Sequence, residues 1–232
     1  MTPTPCLLLY PNRGDAAALS GGAWQIPREN LQDRIIQRVA RTASDTREAA
    51  QLVIELDRSR PTRAAVLVNS TASLAARKRV RLFDLNDSLL VQTGSDASDG
   101  WEDVFPRERP TKQMRWRDTN FWSGRPTPED LQGSTLSTIT LFSAEHFAKR
   151  ITIEFDDQDH PLGYLDFGRL FVAGQYQPRY NYNFGAALSF DVRTTISRSR
   201  GGTIYSNRRR HPRVKTISFQ NLPRSEALAQ VY

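Results

Sequence analysis

Short runs of alternating apolar and polar residues, closed by turn residues, recur along this chain and most constrain its fold. In residues 150–155 the apolar side chains Ile151, Ile153 and Phe155 occupy every second position. A period of two is typical of a strand with one buried face. Comparable strand-like runs lie at residues 51–56, 63–68, 77–83, 135–142, 165–173, 185–195 and 214–219. Many short strands separated by turns predict a mainly β protein folded as an antiparallel β-sandwich.

Two local details refine this prediction. Residues 58–61, Arg-Ser-Arg-Pro, predict a turn that separates the first two runs. Apolar residues at 31, 35, 36 and 39 have helical spacing over a short window, which is compatible with a brief helix. From the positions of the strand-like runs, we interpret residues 1–45 as an N-terminal arm and entry segment, 46–178 as the sandwich, and 179–232 as a basic C-terminal extension with strand-like stretches.

The positive charge of the chain is concentrated near its C-terminus. The 232 residues carry a net charge of +7, and 28 of the 32 basic residues are arginines. Residues 192–224 hold nine Lys or Arg and no Asp or Glu. Such a segment attracts phosphates or acidic protein surfaces, or is simply a solvated face. Arginine favours bidentate carboxylate pairing, which suits a protein interface. The candidate interface arginines are Arg198, Arg200, Arg208, Arg209, Arg210 and Arg213.

Residue usage argues against several function classes. Cys6 is the only cysteine and the chain has three histidines, so we expect no disulfide framework and no metal site. No apolar run approaches the roughly 20 residues of a membrane span, and no signal peptide is expected. Nucleophile-elbow, phosphate-loop and zinc-protease motifs do not occur, so we expect no catalytic residue, no cofactor and no enzyme. Residues 156–160, Asp-Asp-Gln-Asp-His, form either a solvated turn or a calcium site.

Aromatic residues supply the remaining candidates for binding. Residues 86–130 hold three of the four tryptophans, and Trp116 and Trp122 either cap the core or contact a partner or ligand. Tyr176, Tyr180 and Tyr182 would share one face of a strand. Such a row would stack sugars or bases, pack on a neighbouring subunit, or pack in the core.

Several segments resemble a known family. Residues 63–82 combine an apolar strand, a loop that begins with Asn69, and the strand sequence Ala-Arg-Lys-Arg-Val-Arg. Residues 150–174, the Trp-Glu-Asp-Val-Phe-Pro sequence at 101–106 and the Gly-Gly-x-x-Tyr sequence at 201–205 follow in the same order as in that family. Together these segments resemble galactose-binding-like (discoidin-type) sandwiches of jelly-roll type in tailed-phage proteins.

The resemblance implies a structural component of a long-tailed bacteriophage, at the tail tip or baseplate. It implies a virion location after synthesis in the host cytoplasm, a homo-oligomeric ring, and contacts with other tail proteins. The charged extension would add a strand to another subunit. The alternative is a carbohydrate-binding module for host-surface adsorption. A nucleic-acid partner ranks third, because no reading motif accompanies the basic segment. A hydrolase ranks fourth, because no nucleophile–base pair is visible.

Overall fold

The computed structural model describes residues 6–107, 110–131, 135–182, 187–207, 213–219, 223 and 226. The chain divides into two compact units. The first, here the sandwich unit, comprises Leu9–Gln175. The second, here the terminal unit, comprises Met1–Leu8 and Tyr176–Tyr232.

Strands account for nearly all the regular structure of the described residues. They are β1 (Leu8–Leu9), β2 (Ala18–Ser20), β3 (Trp24–Ile26), β4 (Ala40–Thr42), β5 (Gln51–Val68), β6 (Arg77–Phe83), β7 (Leu89–Gln92), β8 (Glu102–Asp103), β9 (Ser137–Asp156), β10 (Asp166–Phe167), β11 (Arg169–Ala173), β12 (Gln175–Tyr176), β13 (Ala187–Phe190), β14 (Thr195–Arg198), β15 (Ile204–Asn207) and β16 (Arg213–Thr216). One α-helical turn, α1 (Pro128–Leu131), and four 3₁₀ turns (Gly14–Ala16, Arg28–Gln32, Asp96–Ser98, Thr111–Gln113) complete them. Within the described ranges, no helix is long and apolar enough to cross a membrane.

Two antiparallel sheets face each other in the sandwich unit. The larger has seven strands, in the order β11-β5-β9-β6-β7, with β2 on β5 and β8 on β6. The smaller has the order β10-β4-β3. Phe167 of β10 packs on Phe155 of β9 with ring centroids 4.8 Å apart, and Trp24 of β3 meets Phe167 at 6.4 Å. The mainly β, antiparallel sandwich predicted from the alternating runs is therefore confirmed.

The core lies between these sheets and consists of aliphatic and aromatic side chains. Its fully buried members include Leu31, Ile54, Leu56, Val80, Leu82, Ile151, Leu165, Phe167, Leu170 and Val172. Most of them come from runs that the sequence predicts as strands. Burial of this apolar surface is the main stabilising contribution to such a fold.

The predicted turn at residues 58–61 is wrong, because the two runs around it form the single strand β5. Pro61 lies between the part of β5 that pairs with β2 and the part that pairs with β11, so at this position β5 is paired only with β9. Proline is tolerated where one edge of a strand is unpaired. Residues 56–59 bulge out opposite Lys149 of β9. The Lys149 ammonium donates to the carbonyls of Leu56 (2.6 Å) and Asp57 (3.3 Å), so the bulge keeps hydrogen-bond partners.

The pairing of β5 with β9 is irregular a second time, where residues 142–145 of β9 lie opposite Arg63, and between them the two irregularities change which side chains of β9 point into the core. Ile151, Ile153 and Phe155 are buried as the alternation predicts, but farther back Thr138, Thr140 and Phe142 are buried instead. Ile139 and Leu141 are consequently 59% and 53% exposed. Irregular pairing changes the face on which the residues beyond it lie, so the apolar positions of this half-strand face outward.

The chain changes sheets at Gly168, which splits the predicted run 165–173 into β10 and β11. The Gly168 amide donates to the Val68 carbonyl at 2.9 Å. A Cβ on Gly168 would lie 2.6 Å from the Ile36 carbonyl oxygen, a distance that no side chain tolerates. Glycine is therefore required by this close approach of two backbone segments.

Residues 9–45, which the sequence analysis assigned to an arm and entry segment, supply strands to the sandwich unit. Ala18–Ser20 pairs with β5, and Trp24–Ile26 and Ala40–Thr42 form two strands of the smaller sheet. A helix over 31–39 does not form; Arg28–Gln32 is a 3₁₀ turn and the residues after it are irregular. Leu31 is fully buried, so core packing rather than helical periodicity accounts for its apolar character.

The terminal unit contains two separate two-stranded sheets. One pairs β13 with β16, and the other pairs β14 with β15, both antiparallel. They correspond to the strand-like stretches predicted near 185–195 and 214–219, together with a hairpin that alternation did not reveal. The short pair of β1 and β12 lies where the chain passes from one unit to the other.

Candidate functional site

A cleft of about 580 Å³ opens on the sandwich unit beside the loop that follows β7, and we call it the loop cleft. Its polar wall is formed by Arg77, Lys78, Ser95, Ser98, Trp101, Glu102 and Asp103, and its apolar wall by Ile139 and Leu141. The outward-facing half of β9 thus supplies the apolar wall. Clefts of this size that combine an aromatic ring with several polar groups accept small molecules.

Lys78 is the most unusual group at the loop cleft because a lysine is rarely buried. Its residue is only 3% exposed. The ammonium donates to the Ile139 carbonyl at 2.5 Å and lies 3.3 Å from a Glu102 carboxylate oxygen. Burial lowers the pKa of Lys78 below its ordinary value, and the charge of Glu102 opposes that shift. The lysine therefore joins β6, β8 and β9 at the floor of the cleft.

Trp101 separates the loop cleft from a second, smaller cleft of about 290 Å³. The guanidinium of Arg79 lies 4.8 Å from the Trp101 ring, and that of Arg47 lies 5.4 Å from it. Arg79 is itself held by Glu154 at 2.6 Å and Asp99 at 2.5 Å, and hydrogen bonding to Glu154 raises the pKa of Arg79. Ion pairs and stacking therefore fix the orientation of this tryptophan.

Sequence reasoning selected two other tryptophans, and the structure places neither in the lining of the two clefts. Trp116 and Trp122 are 76% and 86% exposed, in the irregular segment between β8 and β9. Trp122 contacts Phe121 edge-on, with ring centroids 5.1 Å apart. Trp101 lines both clefts instead, and the polar and acidic sequence that flanks it on both sides is the signal that could have drawn attention to it.

The predicted aromatic row on a strand is not formed by the described residues 177–182. Only Gln175–Tyr176 is a strand, and the following residues are irregular. The Tyr176 hydroxyl donates to a Glu226 carboxylate oxygen at 3.2 Å, and burial raises the pKa of Tyr176. Tyr180 is 51% exposed, and Tyr182 meets Phe219 and Lys215. The proline at 178 and the irregular backbone replace the alternation that the row required.

The basic candidates lie in the terminal unit. Arg198 ends β14 and Arg200 lies in the turn that follows, and both are exposed. Arg213 begins β16. Arg208, Arg209 and Arg210 lie outside the described residues. Arg198 and Arg200 have no ion-pair partner among the residues that the structure describes.

Several large apolar side chains of the terminal unit are exposed. Leu188, Phe190, Ile196, Ile204 and Tyr205 are 57–70% exposed. They sit on two-stranded sheets, which are marginally stable in water without a further packing surface. Exposed apolar groups on such small sheets are typical of a segment that packs against a partner.

The acidic turn at 156–160 makes contacts within the protein. Asp157 is buried and accepts hydrogen bonds from the Ser73 amide (2.8 Å) and hydroxyl (2.5 Å). Asp156 pairs with Arg47 at 2.5 Å. Across the described part of the chain, no group of three His, Cys, Asp or Glu is arranged to hold a metal ion. These carboxylates anchor neighbouring loops. The solvated-turn interpretation therefore holds only in part, because Asp157 is buried.

Comparisons with known proteins find distant likeness in solved structures. No protein-family model and no curated protein matches this chain. A family 32 carbohydrate-binding module of NanJ from C. perfringens, solved with galactose, is 13% identical, with a TM-score of 0.42, over 69% of this chain and 96% of that chain. A fucose-binding module of Streptococcus pneumoniae is 13% identical, with a TM-score of 0.41, over 70% and 94%.

A third solved structure belongs with these two. Module CBM32-1 of a family 31 glycoside hydrolase from Clostridium perfringens is 10% identical, with a TM-score of 0.43, over 71% of this chain and 98% of that chain. Galactose and fucose are the ligands of the first two proteins.

Proposed function

We propose that this protein is a structural subunit of a multi-copy assembly and that its terminal unit joins it to neighbouring molecules. The observation that carries the proposal is the exposure of Leu188, Phe190, Ile196, Ile204 and Tyr205 on the two two-stranded sheets of the terminal unit. Burying such side chains against a neighbour contributes roughly 25 cal/mol per Å² of apolar surface. The sandwich unit, which has its own core, supplies the rigid body of the subunit.

The setting that we propose for this subunit is the tail tip or baseplate of a long-tailed bacteriophage, with other tail proteins as partners. This setting is supported by the order of the resembling segments in residues 63–82, 101–106, 150–174 and 201–205. The solved structures that resemble the chain are not virion proteins by name, so the sequence segments alone support it. Antibody raised against this chain should label the tail tip of particles. Deletion of residues 192–232 should abolish that labelling, and labelled particles carrying the truncated chain would contradict the proposal.

Sedimentation velocity of the full chain tests the assembly directly. We expect the native protein to sediment as a multimer, and the double variant Phe190→Ser, Ile196→Ser to sediment as a monomer. The matched control is Leu162→Ser, which changes a leucine 55% exposed on the sandwich unit and should leave the multimer intact. A native chain that remains monomeric, or a double variant that assembles as the native chain does, would contradict the proposal.

A carbohydrate ligand in the loop cleft is the second candidate function, and it is compatible with the first because it uses the other unit. The loop cleft combines the Trp101 ring with the polar groups of Arg77 and Ser98. Sugars present an apolar face that stacks on aromatic rings and hydroxyl groups that need hydrogen-bond partners. The NanJ module was solved with galactose and the Streptococcus pneumoniae module is named as fucose-binding, so these two sugars are the first ligands to test.

Calorimetric titration of the full chain with galactose and fucose tests this second candidate. Arg77→Ala removes an exposed side chain of the cleft and should weaken binding about tenfold, the loss expected for one charged hydrogen bond. Trp101→Ala should abolish binding, whereas Trp116→Ala removes an exposed tryptophan outside the cleft and should leave it unchanged. Absence of heat with either sugar, or equal binding by all three variants, would reject the loop cleft as their site.

A further inference from the structure

The seven-stranded sheet ends in an edge strand whose outer side has no strand partner among the described residues. That strand is β7, and Leu89 and Leu90 on it are 50% and 39% exposed. Leu85, in the turn before it, is 71% exposed. Exposed edges are often blunted by lysine, proline or a β-bulge; β7 carries neither lysine nor proline, and its one irregularity is a register shift at Leu90. This edge therefore presents unpaired backbone groups together with apolar side chains, which is what an added strand requires.

The same edge belongs to the most acidic stretch of the chain. Residues 82–106 hold six Asp or Glu and no Lys or Arg. Asp87 and Asp99 lie near either end of β7, and their side chains are 67% and 80% exposed. They pair with Arg150 and with the mostly buried Arg79, but because both carboxylates are exposed to solvent they remain accessible to a competing cation. The edge thus keeps an acidic surface that attracts a basic partner.

The β14–β15 hairpin of the terminal unit has the complementary chemistry. Ile196 and Arg198 alternate with Ser197 on β14, and Ile204 lies directly opposite Arg198. Ile196, Arg198 and Ile204 therefore share one face, where the two isoleucines are 70% and 57% exposed. Arg200 extends the positive charge into the turn. This basic, apolar hairpin has no further strand partner within the described residues, and it matches an acidic, apolar edge strand.

We infer that the β14–β15 hairpin of one molecule adds to the β7 edge of a second copy of this chain. The inference rests on the proposed function and names the surface that receives the terminal unit. Main-chain hydrogen bonds to β7 supply the affinity, and attraction of Arg198 and Arg200 to the exposed Asp87 supplies the orientation. Because the hairpin and the edge are different surfaces, the contact is head-to-tail, and repetition closes a ring or continues as a filament.

Complementation between two variants tests this contact. The edge variant is Leu85→Lys, Leu90→Lys, the hairpin variant is Ile196→Ser, Ile204→Ser, and the control is Leu162→Lys. All five changed side chains are exposed, so thermal melts should show folded proteins. In sedimentation velocity, each of the two double variants alone should be monomeric and the control should form the native multimer. An equal mixture of edge and hairpin variants should form a one-to-one dimer, since it contains one intact hairpin and one intact edge.

Disulfide trapping provides a second measurement that is independent of stability. In a Cys6→Ser background, Leu90→Cys mixed with Ile196→Cys should give an intermolecular disulfide under mild oxidation, whereas Leu162→Cys mixed with Ile196→Cys should give none. High salt should slow the trapping because the attraction is partly electrostatic.

The outcomes separate this inference from the proposed function. An edge variant that assembles as the native chain does would overturn the inference and leave the proposed function standing. So would a hairpin variant that assembles while Phe190→Ser, Ile196→Ser does not. A monomeric native chain, together with an intramolecular disulfide in one chain that carries Cys6→Ser, Leu90→Cys and Ile196→Cys, would show that the hairpin covers its own edge, and would overturn both.

Discussion

Phe167 stacks on Phe155 with ring centroids 4.8 Å apart and an interplanar angle of 36°, and this contact joins the two sheets of the sandwich unit. Both side chains are 2% exposed. Phe167 lies on β10 of the smaller sheet and Phe155 on β9 of the larger one. The pair therefore closes the core at the place where Trp24 also reaches Phe167.

Removing the Phe167 ring should destabilise the fold more than removing an exposed ring of the same type. We expect Phe167→Ala to lower the free energy of unfolding by about 3–5 kcal/mol, because a cavity replaces a fully buried ring. Phe147→Ala, on an exposed residue of β9, should change it by less than about 0.5 kcal/mol. Urea unfolding followed by tryptophan fluorescence measures both. Equal losses would show that the two sheets do not share this core.

Lys149 should stabilise the bulge in β5 through its ammonium group. Lys149→Met keeps the aliphatic stem but leaves the carbonyls of Leu56 and Asp57 without this donor. The loss should be about 1–2 kcal/mol of unfolding free energy, measured in urea. Lys112→Met, which changes an exposed lysine, is the matched control and should be neutral. An unchanged Lys149→Met protein would mean that water satisfies the bulge equally well.

Asp57 should titrate well below an ordinary aspartate. Hydrogen bonds from Arg60, at 2.6 and 3.0 Å, lower the pKa of Asp57 from 3.8 to about 2. Because the folded pKa is depressed, the stabilisation is present above pH 4 and is lost as the pH falls towards 2. Carboxyl NMR titration should show this pKa, and Arg60→Gln should return it towards 3.8. An unshifted Asp57 in the native protein would exclude the pair in solution.

Lys78 should make stability depend on pH in the alkaline range. Its pKa is lowered by burial in the folded state, so between that pKa and the ordinary value of 10.5 the unfolded chain binds more protons. The contribution of Lys78 to stability therefore improves as the pH rises towards 10.5. The free energy of unfolding of the native protein minus that of Lys78→Met should be larger at pH 10 than at pH 7. A constant difference would indicate an unperturbed lysine.

The alternating runs predicted much of this architecture from sequence alone. Residues 77–83 and 150–155 form paired strands as expected, because one face of each run is apolar and must be buried in the same core. Charge counting likewise placed the basic arginines in one segment, since net charge is a sum over the sequence and needs no coordinates.

Tertiary structure decided what depends on contacts between distant residues. β5 continues through Pro61 because β9 runs beside it, and Ile139 and Leu141 face outward because the irregular pairing of β5 with β9 reverses the inward side of the strand. Trp101 reaches a cleft because residues that are distant in sequence, Arg47 and Arg79, meet at its ring. β7 is an edge strand because the order of strands in the larger sheet, which only pairing sets, places it last. Periodicity records only which residues are apolar, whereas register, bulges and sheet order arise from pairing between segments far apart in the chain.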